Sequence, residues 1–279
     1  MSAPLRAARV EARKLLSSRA LPAIAACAAL LAALTMSSPA EFPGGPLLMT
    51  AGPDPSRIGG AIGFIGNVVD PAAPGLSAVR TSLVYTALWI PVAVAFGLAT
   101  FSADFSCGAA RVSRARGASL AESGAARILV ACCAMAVLYA ASCGAALVFK
   151  AAQYGAAIGP DELSAFAGSG AVNALGLCAL ASWSAALYAV SRGSFITVVA
   201  QLALAALVLL GYPSAYGAAA SAGAAAPVLP WALHPVFYLL NAAALCLDTA
   251  QTALALGICA AMLVGGVAAA AVASHLKEV

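Results

Sequence analysis

The chain has 279 residues, of which 63% are hydrophobic and only 9% are charged, and it carries a formal net charge of +4. Soluble globular domains have roughly 25% charged residues. The composition therefore excludes a soluble globular domain and indicates an integral membrane protein. A helix needs roughly 20 apolar residues to cross the hydrocarbon of a bilayer. The charge-free intervals that are long enough are 20–40, 81–103, 128–149, 163–191, 193–247 and 249–276.

The start of the chain predicts an amphipathic helix, over about 3–18, that lies in the membrane interface. One face of this helix carries the apolar residues Leu5, Ala8, Ala12, Leu15 and Leu16. The basic residues Arg6, Arg9 and Arg13 lie beside that face. A secretory signal is the alternative, because basic residues precede an apolar stretch. The charged region is long and no A-x-A cleavage site follows, which favours a retained first span.

The 41–80 stretch predicts a sizeable loop, because it is rich in Pro and Gly and carries Asp54, Arg57 and Asp70. Within it, the segment 58–69 is too short to cross a membrane and too rich in glycine for a firm helix. We therefore expect 58–69 to form a partly buried part of the loop.

The segment 104–127 is a polar, basic island between two apolar runs. A helix arriving from the preceding run is predicted to end at Gly117, since glycine adopts the left-handed conformation after a helix end without a Cβ penalty. A new helix is predicted to begin at Ser119, which forms a capping box with Glu122. Two interpretations stay open: a solvated loop between two membrane helices, or a docking element.

The sequence predicts an all-α integral membrane protein with one transmembrane domain over 1–279. Its six spans are expected at about 20–38, 82–103, 127–149, 168–190, 194–212 and 250–273. The interval 193–247 holds only one of them, because its second half is interrupted by Pro213, Pro227, Pro230 and Pro235. Non-helical backbone at membrane depth must be covered by protein, so 213–247 is expected to form short re-entrant or interfacial helices. A seventh crossing there is the alternative.

The distribution of basic residues predicts the orientation. With the N-terminus inside, the cytoplasmic side carries 11 basic residues, namely Arg6, Arg9, Arg13, Lys14, Arg19, Arg111, Arg114, Arg116, Arg127, Arg192 and Lys277. The outer side carries 3, namely Arg57, Arg80 and Lys150. Under the positive-inside rule both termini are cytoplasmic, which requires an even number of spans.

Small residues predict how the spans pack. Gly257, Ala261 and Gly265 form a ridge in the last span and Gly170 with Ala174 a shorter one in the fourth, both expected to make intramolecular contacts. The eight cysteines show no C-x-x-C spacing, so we interpret them as small packing residues.

Motifs for catalysis are missing from the sequence. None of the three lysines follows a glycine, which excludes a phosphate-binding loop for ATP. Neither His234 nor His275 has a second ligand at metal spacing. The segment from Gly108 to Arg111 is similar to part of the CDP-alcohol phosphotransferase signature, but the acids that would hold its metal are absent. We therefore expect no enzyme, cofactor or metal site in this chain, and no nucleic-acid partner.

Two segments together resemble the membrane subunits of type 2 ATP-binding-cassette (ABC) exporters. Glu11, Lys14 with Leu15, and Arg19 are similar to the family's E-x-x-K-L-x-x-x-R segment before the first span. The island is similar to the family's sequence between spans two and three, through Asp104, Gly108, Arg111, Arg116, Gly117, Ser119, Ala126 and Arg127. Ala109 and Ala110 replace the usual Thr and β-branched residue, and Arg127 stands where Lys is commoner.

The resemblance implies a permease subunit in a bacterial inner membrane that pairs with a second permease copy or a related subunit. Separate cytoplasmic ATPase subunits would bind and hydrolyse the ATP. The implied ATPase-coupling loop is 104–127, with Asp104, Gly108, Arg111, Arg116, Gly117, Ser119, Glu122 and Arg127 as its site residues. The amphipathic N-terminal helix would lie beside it on the inner membrane face and contribute Glu11, Lys14 and Arg19. The alternative is a membrane anchoring, immunity or assembly subunit that does not transport.

Overall fold

The computed structural model describes residues 3–37, 49–50, 61–63, 72–106, 120–222, 234–243, 245 and 247–276. Within these ranges the helices are α1 (Ala3–Ser17), α2 (Ala20–Ser37), α3 (Pro74–Leu83), α4 (Thr86–Ser106), α5 (Leu120–Tyr154), α6 (Pro160–Ser191), α7 (Ser194–Ala222), α8 (Pro235–Ala243) and α9 (Thr249–Leu276). Two short strands, β1 (Met49–Thr50) and β2 (Ala61–Gly63), pair antiparallel.

Five helical segments are long and apolar enough to cross a membrane. They are Ala20–Ser37, Pro74–Ser102, Glu122–Tyr154, Pro160–Ser191 and Thr249–His275. Each exceeds or approaches the length that the hydrocarbon core requires. The prediction of an all-α chain with several membrane-length helices is therefore confirmed, apart from the short strand pair in the 41–80 stretch.

The prediction that 41–80 is entirely loop is wrong at its C-terminal end. α3 begins at Pro74, whose fixed φ and missing N–H suit the first turn of a helix. Within α3 the Ser82 Oγ donates to the Val79 carbonyl oxygen at 2.7 Å, whereas the Thr81 hydroxyl accepts from the Tyr154 hydroxyl of α5 at 3.3 Å. The seven residues 74–80, about two helical turns, are not visible as part of a charge-free run because Arg80 lies within the helix.

The interruption expected at Pro213 is also wrong, because α7 continues through Pro213 to Ala222. A proline removes one backbone hydrogen bond, and a membrane helix tolerates the loss when neighbouring groups compensate. Only α8 is a short helix in the described part of 213–247, and all nine of its residues are buried. It contacts α4, α6, α7 and α9, so it lies inside the protein.

α6 is the central helix of the fold, since it contacts α3, α4, α5, α7, α8 and α9. Its neighbours approach closely where glycines face it. A Cβ on Gly97 of α4 would collide with the Ala181 carbonyl, and one on Gly266 of α9 would collide with Ser182. The indole of Trp183 donates to the Met262 carbonyl oxygen on α9 at 2.9 Å.

The ridge of small residues predicted in the last span is wrong at Gly257 and Ala261, whereas a Cβ on its third member, Gly265, would lie 3.7 Å from the Trp183 ring on α6. Gly257 and Ala261 are exposed, whereas Ala255, Cys259 and Ala270 are buried. The i, i+4 spacing of small residues occurs on more than one face of this alanine-rich helix, so spacing alone did not identify the buried one. Among the described cysteines, Cys132, Cys143, Cys178 and Cys259 are buried free thiols, as expected for packing residues, whereas Cys27 is half-buried and Cys133 is exposed.

Candidate functional site at the α1–α5 junction

The structure joins two residues that lie 116 positions apart in the sequence. Arg127 Nε, two turns into α5, donates to Glu11 Oε2 on α1 at 2.8 Å. The other carboxylate oxygen of Glu11 accepts from Lys14 Nζ at 2.7 Å. Glu11 thus links the N-terminal helix to the helix that follows the 104–127 island.

Helix periodicity explains this arrangement on each side. Lys14 lies three residues after Glu11, the spacing at which side chains on one helix face meet. Leu15, one turn after Glu11, packs against the hydrophobic core and holds the same face of α1 toward the protein. Arg127 precedes the buried residue Ile128, so its Cα lies where α5 is already covered by protein.

Burial shields this ion pair from solvent and salt more than a surface pair is shielded. The Glu11 side chain is 4% exposed and that of Arg127 is 11% exposed, whereas Lys14 is 44% exposed. Burial raises the pKa of the Glu11 carboxyl, but the hydrogen bonds from Arg127 and Lys14 outweigh it and the pKa is lowered overall. At neutral pH Glu11 is therefore an ionised carboxylate that accepts hydrogen bonds from two cationic side chains.

A cavity of about 530 Å³ opens beside this ion pair, between α1, α2, α4 and α5. Its described charged lining is Glu11, Lys14, Arg19 and Arg127. Its apolar lining includes Leu15, Ala20, Ala99, Val130 and Ala131. Four of the residues singled out from the sequence therefore surround one cavity.

The other predicted site residues are placed differently. Asp104 belongs to the last turn of α4, which ends at Ser106, and Glu122 is exposed in the first turn of α5. The remaining residues lie outside the described part of the chain, so the coupling loop and its capping box stay predictions: Gly108, Arg111, Arg116, Gly117 and Ser119. α5 begins at Leu120, directly after Ser119.

A buried polar contact between α4 and α5 was not predicted from the sequence. The hydroxyls of Thr86 and Tyr139 are 2.8 Å apart, and both residues are buried. The Trp89 ring meets the Tyr139 ring edge-on at a centroid distance of 5.3 Å. The only sign of this contact in the sequence is a tyrosine in the middle of an apolar run, and the sequence does not show which residue that tyrosine contacts. This contact ties the two helices on either side of the island together.

Metal chemistry finds no support in the described residues, where no group of three or more His, Cys, Asp or Glu could hold an ion. His234 Nδ1 accepts from the Val236 N–H at 3.3 Å and thereby satisfies a free donor at the start of α8. Burial lowers the pKa of His234 to about 4. This histidine has the properties of a structural residue.

No protein-family model matches the chain, and no curated protein or solved structure compared with it is similar.

Proposed function

We propose that this chain is the permease subunit of an ATP-driven ABC exporter, and that the Glu11–Arg127 ion pair couples α1 to the helix that leaves the cytoplasmic coupling loop. The observation that carries the proposal is that contact itself. The two segments that resemble the exporter family are remote in sequence, yet they meet through a buried ion pair.

The geometry suits the transmission of movement. α5 has 35 residues, which corresponds to a rod of about 52 Å. Its first turns follow the proposed ATPase contact, and along its length it contacts α1, α2, α3, α4, α6 and α9. A displacement of the coupling loop would therefore shift α5 against most of the bundle, and Arg127 would carry α1 with it.

The proposed topology has six spans, with α7 added to the five membrane-length helices. α7 has 29 residues and no charged side chain. An even number of spans leaves both termini on the cytoplasmic side of a bacterial inner membrane. The ion pair supports the first part of this arrangement, since it puts the N-terminal helix and the start of α5 on the same side, with α2 and the α3–α4 segment as two crossings between them.

α1 is proposed to lie in the interface of the inner leaflet. Its inner face carries Glu11 and Leu15 against the protein, whereas Val10 is 52% and Leu16 is 71% exposed. Exposed apolar residues on a basic helix suit the boundary between headgroups and acyl chains. The break at Ser18 and Arg19, between α1 and α2, lets the chain turn into the membrane there.

The partners in this proposal are a cytoplasmic ABC ATPase and a second permease, either another copy or a related subunit. The chain contains no phosphate-binding loop, so ATP would be bound by the partner. The test is to search the neighbouring genes for an ABC ATPase, to co-express it with this chain, and to purify the complex through a tag on the permease. We expect the ATPase to co-purify and to hydrolyse ATP faster in the complex than alone.

A matched variant sharpens this test. Arg116→Glu places the opposite charge in the proposed ATPase contact, whereas Arg13→Gln removes a charge from an exposed position of α1 outside the cavity lining. The first variant should lose the ATPase and the second should retain it. A permease that inserts normally but never retains an ATPase would instead be a non-transporting anchoring, immunity or assembly subunit.

A further inference from the structure

The cavity beside the ion pair is lined by more basic than acidic side chains among the described residues. Of its described charged lining residues, three are basic and one is acidic. The acidic one, Glu11, is already bonded by Arg127 and Lys14. Arg19 is exposed, and its guanidinium makes no salt bridge within the described part of the chain. Among the described lining residues, Arg19 is therefore a cation that the Glu11 carboxylate does not pair with.

An apolar groove continues from this cavity between α2 and α4. It has a volume of about 340 Å³ and shares Ala20 and Ala99 with the charged cavity. From these two residues it runs to Cys27 on α2 and to Pro91 on α4. Seven or eight residues of helix correspond to about 10–12 Å of depth along the membrane spans. The lining side chains are all apolar, and alanines supply much of the space.

We propose that the charged cavity and the apolar groove together bind one anionic phospholipid of the inner leaflet. Its phosphate would lie at the side of Lys14 and Arg19, and one acyl chain would lie between α2 and α4. The backbone N–H groups at the start of α2, which follow Arg19 directly, add partial positive charge at the same place. Lipid binding at this site needs only a bilayer and no ATPase partner. The lipid proposal can therefore be refuted without refuting the exporter proposal, and the reverse also holds.

The basic lining of the cavity and the depth of the apolar groove favour a phospholipid over other occupants. A soluble anion would satisfy Arg19 and leave the apolar groove unfilled. A second copy of this chain would bring its own basic residues against these, since the cytoplasmic side is rich in Arg and Lys. An anionic phospholipid carries both the negative headgroup and the hydrocarbon that this composite site requires. Bound there, it would contact α1, α2 and α4 at once and hold the Glu11–Arg127 junction closed.

The experiment measures which lipid the full chain retains. The chain, purified in a neutral detergent, is incubated with equal amounts of dioleoyl phosphatidylglycerol and dioleoyl phosphatidylcholine, and the lipid that elutes with it is quantified by mass spectrometry. We expect phosphatidylglycerol to be preferred. Arg19→Gln should lower its retention about fivefold, which corresponds to about 1 kcal/mol for one cation. Arg19→Lys and Arg13→Gln should leave it unchanged.

Groove-filling variants test the acyl-chain half of the site. Ala95→Leu on α4 and Ala23→Leu on α2 narrow the groove without changing charge, whereas Ala29→Leu adds the same bulk at an exposed position of α2 outside it. The first two should lower phosphatidylglycerol retention and the third should not. Equal retention of both lipids, or equal loss in Arg13→Gln and Arg19→Gln, would overturn the proposal. So would displacement of the lipid by inorganic phosphate at the same concentration, which would indicate a site for a free anion.

Discussion

Removing Arg127 tests the physical basis of the α1–α5 junction. Breaking a buried ion pair costs about 3–5 kcal/mol when the remaining charge is left without a partner. In Arg127→Gln the Glu11 carboxylate keeps its 2.7 Å bond from Lys14, so it stays paired. The loss is then that of one hydrogen bond to a charged group, about 1.5–3 kcal/mol. We therefore expect Arg127→Gln to lower the free energy of unfolding by this smaller amount.

The assay is a double-mutant cycle on the purified chain, with Glu11→Gln, Arg127→Gln and both together, followed by thermal unfolding. If the two side chains act on each other, the double variant should be destabilised by clearly less than the sum of the single variants, with an interaction energy of at least about 1 kcal/mol. Arg13→Gln, at an exposed position of α1, is the control and should be close to wild type. Additive losses would refute the proposed junction.

Four further outcomes are expected. The folded pKa of Glu11 is lowered, so the stability that it contributes is present above its ordinary pKa of 4.5 and is lost as pH falls through the lowered value; thermal unfolding between pH 7 and 3 should show this loss in the wild type and not in Glu11→Gln. Cys107, in a variant without the other cysteines, should react with an impermeant thiol reagent only from the cytoplasmic side, and labelling of intact cells would reverse the orientation. Gly266→Val should prevent the close approach of α9 to Ser182 and lower the unfolding temperature, whereas Gly257→Val, with no atom within 4 Å of its Cβ position, should not. Gly117→Val and Ser119→Ala should insert normally but lose ATPase stimulation, while wild-type activity in both would indicate a simple connector.

Composition and charge spacing predicted most of the helical architecture. Membrane-length helices are visible in sequence because the bilayer imposes a run of about 20 apolar residues whatever the helix later contacts. The errors occur where local rules compete with packing. Arg80 interrupts an apolar run yet lies within α3, and Pro213 lies within α7 although proline ends most helices.

The sequence predicted which residues belong to the candidate site but not how they are arranged in space. Glu11 and Arg127 were selected separately, one from each motif, and no local pattern indicates that they touch across 116 positions. Thr86 and Tyr139 were missed for the same reason, since a hydroxyl in an apolar run reveals its partner only in three dimensions. The buried face of α9 was misassigned because alanine and glycine occur on several of its sides, and only the neighbouring helix selects among them.

The most direct test of the proposed coupling is ATP hydrolysis by the reconstituted complex of this chain with the proposed cytoplasmic ATPase. Wild type, Arg127→Gln, Glu11→Gln and the double variant are compared at equal amounts of co-purified ATPase, with Arg13→Gln as the control. If the ion pair transmits movement between the coupling loop and α1, each single variant should lose permease-dependent stimulation and the double variant should lose no more than either. Wild-type stimulation in all of them, with the ATPase still bound, would contradict the account.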